Sequence, residues 1–120
     1  MSSEQAAETV FQQVLELTRR YSFTIGPDVL VALFGIEEAA TAHVYDAGNA
    51  TIEVFVTEAG AVPPGFRHVC LEVPDRERTL ARARAAGLEI RRFRRGNSDV
   101  VFMVDTDHNL YELKECPRPA

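Results

Sequence analysis

The stretch TVFQQVLELTRR, residues 9–20, decides how the first half of the chain folds. Read as a strand, it carries Gln13 toward whatever the strand lines. Read as a helix, it puts Val10, Phe11, Val14, Leu15 and Thr18 on one face, which packs against a sheet. Composition favours the helix: positions 4–20 are rich in Ala, Glu, Gln, Leu and Arg, and Ser2 or Ser3 is placed to cap it. The strand alternative stays open because FQQV (11–14) pairs with FRHV (66–69), which sets Gln13 opposite His68. That pairing leaves only RRYSFTIGPD (19–28) for a helix, and Gly26 and Pro27 argue against one there.

The second half reads more plainly. In RHVCLEV (67–73), Val69, Leu71 and Val73 alternate with His68, Cys70 and Glu72, the pattern of a half-buried strand. PDRERTLARARAAG (74–87) predicts a helix with Leu80, Ala83 and Ala86 at helical spacing and Gly87 as its stop. LEIRRFRRG, DVVFMVD and LYELKE follow as three strands, parted by Gly-Asn-Ser and Asp-Thr-Asp-His-Asn turns. In the first half DVLVALFGI (28–36), TAHVYD (41–46) and ATIEVFV (50–56) are three more strand candidates, the last two joined by Ala47-Gly48-Asn49. DAGNATIE (46–53) and DTDHNLYE (105–112) both set an Asp seven residues before a Glu, at an offset of 59. The expectation is a duplicated α+β module in one domain over 1–120, with module one at about 1–58 and module two at about 66–115.

Composition limits the function. A chain of 120 residues with 46% hydrophobic positions supports one core. A net charge of −5 argues against a general nucleic-acid binder, which needs a basic face. The longest apolar run, VLVALFGI (29–36), is 8 residues, too short to span a bilayer, and MSSEQAAETV lacks the pattern of a signal peptide. These readings predict a cytoplasmic protein with no membrane partner. Cys70 and Cys116 are too few and too far apart for a disulfide scaffold or thiolate site, and Cys70 reads as a small buried filler.

HVCLEVPD (68–75), a helix ending in Ala-Gly, and DTDHNLYELKE (105–115) together resemble the module motif of the vicinal oxygen chelate superfamily, which includes glyoxalase I, extradiol dioxygenases and the bleomycin and fosfomycin resistance proteins. Thr106 and His108 stand where the motif has proline and glycine. The resemblance implies two βαβββ-type modules whose sheets curl into half-barrels around a divalent metal, with the first module degenerate and its first strand either residues 9–20 or replaced by the N-terminal helix. It further implies His68 and Glu112 as ligands from module two, Glu53 from module one and, if residues 9–20 form a strand, Gln13 as the fourth.

Imidazole with carboxylate oxygens suits zinc, nickel, manganese or iron(II). Glu112 and Glu53 are the expected proton-shuttling carboxylates. His43 reads as lying across the hairpin from Glu53, and Glu72 as sharing the face of His68. In RRFRR (91–95), alternation separates Arg92 and Arg94 from Arg91 and Arg95; Arg92 and Arg94 are the pair expected to bind substrate. The implied function is a glyoxalase-like, metal-dependent lyase or isomerase acting on a small substrate with vicinal oxygens, working as a homodimer. The alternative is a metal-free small-molecule binding or resistance protein, for which a lining of aromatic rings would speak; the chain has 8% aromatics and no tryptophan.

Overall fold

A computed structural model describes residues 1–48, 50–57 and 67–115. The chain divides into two compact units, Met1–Gln12 with Glu16–Gly60, and Gln13–Leu15 with Ala61–Ala120.

The opening stretch is both helix and strand. Ser3 caps α1 (Glu4–Ala7), its side chain accepting from the Ala6 N–H at 3.0 Å, and the helix runs on directly into a π-helical segment, Glu8–Val14. Ala7, Val10, Phe11 and Val14 are buried. Helicity stops at Glu16, which takes φ 57°, and Thr18 opens β1 (Thr18–Ile25). Gln13 therefore lies on a helical segment, exposed, with no strand to carry it.

The strand expected over 28–36 is instead α2 (Pro27–Phe34). A continuous apolar run does not reveal its own period. Here the ends decide it, with Pro27 at the first helical turn and Gly35 closing the helix at φ 70°, its N–H donating to the Val31 carbonyl at 3.0 Å. The third strand of the first half is thus β1, which pairs antiparallel with β2 (Ala40–Asp46); β2 pairs antiparallel with β3 (Thr51–Val56). A bulge between Arg19 and Tyr21 lets these two residues face opposite sides of the sheet. One face lies under the N-terminal helix, where Phe11 stacks on Tyr45 at 5.1 Å. The other carries Tyr21, Phe23, Ala42, Val44, Glu53 and Phe55, with Phe34 of α2 set edge-on against Phe55 at 5.4 Å.

The second unit is β4 (Val69–Val73), α3 (Arg76–Ala85), β5 (Glu89–Arg95), β6 (Ser98–Val104) and β7 (Leu110–Glu115), in the sheet order β4-β7-β6-β5. β4 runs parallel to β7, and the other pairings are antiparallel. Asp75 caps α3, accepting from the Arg78 N–H at 3.1 Å, and Gly87 ends it at φ 80°. Leu80 and Ala83 of α3 are buried, as are Val73, Val101, Met103, Tyr111 and Leu113 on one face of the sheet. Burying four or five such side chains contributes on the order of 10 kcal/mol before entropy is counted. Gln13–Leu15 join this unit, and Arg82 Nε donates to the Val14 carbonyl at 2.8 Å.

The two units repeat one plan. Met1 donates its ammonium to the Phe55 carbonyl at 2.7 Å and accepts from the Thr57 N–H at 2.8 Å, the two bonds of a parallel bridge to Val56. In the second unit Val73 pairs in parallel with Glu115, and the capping residue follows two positions later, as Ser3 follows Met1. Among the described residues, Met1 alone stands where β4 stands in the second sheet. No helix of the described chain is long and apolar enough to cross a membrane.

Candidate functional site

The second sheet has a face that α3 does not cover. Its register sets Cys70, Glu112, Phe102 and Arg91 side by side across the four strands. His68 immediately precedes β4, and its Nε2 lies 3.3 Å from Glu112 Oε1, the two side chains 36% and 19% exposed. The His68 ring sits 5.2 Å from Phe102, and Lys114 Nζ is 3.8 Å from Glu112 Oε2. Glu72, on the same face, is exposed, as is Cys70, which is not the buried filler its strand position suggested. The motif that marked Glu112 works as a turn. Both Asp105 oxygens accept bonds, from the N–H groups of Asp107 and Asn109, the Asn109 amide and the Tyr111 hydroxyl, each at 2.9 Å. Burial is the main force pushing the Tyr111 hydroxyl pKa well above its usual value, and the bond to Asp105 adds to it. His108 fills the motif's glycine position at φ 65°.

The arginines separate as alternation requires. Arg92 faces α3, bonding Asp99 through Nε at 3.0 Å and Nη2 at 2.7 Å and reaching Glu77 at 2.9 Å. Arg94 is 3.6 Å from Asp99, and Arg76 also binds it at 2.8 Å. The hydrogen bonds from Arg92 hold the Asp99 carboxyl down to about 2 against the opposing effect of desolvation. Arg92 and Arg94 thus serve a structural ion cluster on the helix side, while Arg91 shares the face of Glu112. The signal was available: a tight turn at Gly96-Asn97 sets Arg95 against Ser98, and hence Arg91 against Phe102.

In the first unit Glu53 is exposed on the face away from the N-terminal helix, in register with Val44 and, through it, Tyr21. His43 is not its cross-strand partner. The hairpin closes with Asp46 opposite Thr51, so His43 meets Val54 and points to the opposite face, buried under the helix. There Ser22 Oγ lies 2.6 Å and Arg19 Nη1 3.4 Å from His43 Nδ1. Among the described residues no three His, Cys, Asp or Glu side chains converge as a ready metal cage.

Two donors nevertheless have the spacing of neighbouring ligands. Nitrogen and oxygen ligands each ~2.1 Å from an ion stand about 3.0 Å apart at a right angle and roughly 3.4 Å apart in a tetrahedron. The observed 3.3 Å between His68 and Glu112 lies in that interval.

Neither a family model nor a curated protein sequence matches this chain. Solved structures do. A glyoxalase family protein from Enterococcus faecalis matches with a TM-score of 0.68 and 19% identity, over 93% of this chain and 88% of that one. The fosfomycin resistance protein FosX from Mesorhizobium loti matches at 0.67 and 14% identity, over 98% and 86%. A FosX variant from Listeria monocytogenes, solved with Mn(II) and 1S,2S-dihydroxypropylphosphonic acid, matches at 0.71 and 13%, over 98% and 86%. These likenesses establish that the chain has the fold shared by glyoxalase-family and FosX proteins, the vicinal oxygen chelate fold that its motif resembles.

Proposed function

We propose that the protein is a glyoxalase-like lyase or isomerase that depends on a divalent metal, zinc, nickel, manganese or iron(II), and acts on a small molecule with vicinal oxygens. The observation that carries this reading is the His68–Glu112 pair, an imidazole and a carboxylate 3.3 Å apart on an open sheet face. Glu53 is the ligand proposed from the first module, at the position that repeats Glu112. Gln13 lies on a helical segment and has no part in the proposed set. A bound ion supplies Lewis acidity toward two neighbouring substrate oxygens. The chain's own share is proton movement: Glu112 or Glu53 takes the proton from the hydroxyl-bearing carbon and returns it to the neighbouring carbonyl carbon, the hydroxyl proton passing to the former carbonyl oxygen, while Phe102 gives the substrate an apolar floor. That a FosX relative was solved with Mn(II) and a dihydroxy phosphonate supports a chelating ligand of this size. A homodimer in the cytoplasm is the assembly and location we expect.

The test is turnover of a hemithioacetal, and of an epimerisable thioester, by Mn(II)-, Ni(II)- and Zn(II)-loaded protein. The reading expects activity in at least one metal form and a loss of 100-fold or more in Glu112→Gln, the scale on which removing a general base acts. Equal rates in wild type and variant would refute it. A metal-free binding protein is the second reading, and one observation favours it. The aromatic residues are few but concentrated, with Tyr21, Phe23 and Phe55 on one face of the first sheet and Phe34 packed beside them.

A further inference from the structure

We propose that Arg91 is the anion-binding end of this site, and that its ligand is a short-chain dianion: chelating oxygens at one end, a few apolar carbons, and a carboxylate or phosphate at the other. The chelating end rests on the metal reading above; the anionic end rests on the sheet itself.

Strands are spaced ~4.8 Å apart, so Arg91, two strands from Glu112 in the same cross-sheet row, starts about 10 Å away. Phe102 lies between them in that row and leaves an apolar stretch. Phe93, two residues along β5 on the same face, is 64% exposed and walls it. Lys114, also a cation on this face, is at the chelating end beside Glu112. Donors, an apolar floor and a guanidinium therefore follow one another in a line, the order of groups in such a dianion.

Arg91 is held for exchange rather than for structure. Its Nε and Nη2 reach Glu89 at 3.3 and 3.1 Å, and both side chains are 56% exposed. A pair so exposed is worth little, so an incoming carboxylate can take the same fork and displace Glu89. Arg92 makes the opposite case, tied to two carboxylates on the helix side.

The test compares α-hydroxyglutarate with α-hydroxybutyrate by titration calorimetry on the full chain, with and without Mn(II). The two ligands share the chelating end and differ in the distal carboxylate. The expected result is a preference of about tenfold or more for α-hydroxyglutarate. Arg91→Ala should abolish that preference without changing Mn(II) affinity, Arg91→Lys should keep part of it, and Glu89→Gln should widen it by removing the competitor. No preference in the wild-type chain, or a preference unchanged in Arg91→Ala, would overturn the proposal and leave Arg91 as a solvated charge on an edge strand. Failure of the metal reading is seen separately, as absence of Mn(II) binding. The preference for the distal carboxylate in metal-free protein then still decides the role of Arg91.

Discussion

His108 shows how a single residue can depart from a motif and still hold its shape. It takes the left-handed backbone, φ 65°, that the motif reserves for glycine, and the Asp105 carboxylate anchors the turn around it. A side chain in that conformation costs roughly 1 kcal/mol, partly offset by the extra freedom glycine has when unfolded. His108→Gly should therefore raise stability by about 0.5 kcal/mol in urea unfolding. Unchanged or lower stability would mean that the imidazole makes up for the strain. Asp99 gives a second prediction, in pH. Its carboxyl titrates near 3.8 when unconstrained and near 2 beside Arg92. A lowered folded value means stability that is fully present above the unfolded pKa and lost as pH falls from about 4 through 2. Asp99→Asn should flatten the stability profile in that window; an unaltered profile would show that the cluster does not couple to folding.

Among the elements, the N-terminal helix was legible from Val10, Phe11 and Val14, whose spacing is helical and which are buried, whereas Thr18, read onto the same face, opens β1 and is exposed. Its end was not, because Leu15 and Leu17 continue the apolar character while the backbone turns at Glu16. α2 was misread for a related reason: the apolar run 29–34 outweighed Pro27 and Gly35, the two residues that define its ends. The hairpin register slipped by one because Asp46, rather than Tyr45, closes onto Thr51, and that slip moved His43 to the wrong face. Phase decides such questions, and phase depends on the turn.

At the scale of the molecule, the stretches that resemble the vicinal oxygen chelate motif lie mostly in the second half of the chain. His68 and Glu112 are 44 residues apart in sequence, so only the resemblance linked them before the parallel pairing of β4 with β7 brought their strands together. Glu53 was located by the offset of 59 to Glu112, and its role is separable: Glu53→Gln should weaken Mn(II) binding by about tenfold or more if the first module supplies a ligand, measured by equilibrium dialysis, and leave it unchanged if the second acts alone. The most direct measurement is the metal content, by mass spectrometry, of gel-filtered protein incubated with zinc, nickel, manganese and iron(II), beside a His68→Ala/Glu112→Ala double variant. Near-stoichiometric metal in the wild-type chain that vanishes in the variant is the predicted result. No metal in the wild-type chain, or equal metal in both proteins, would contradict the account.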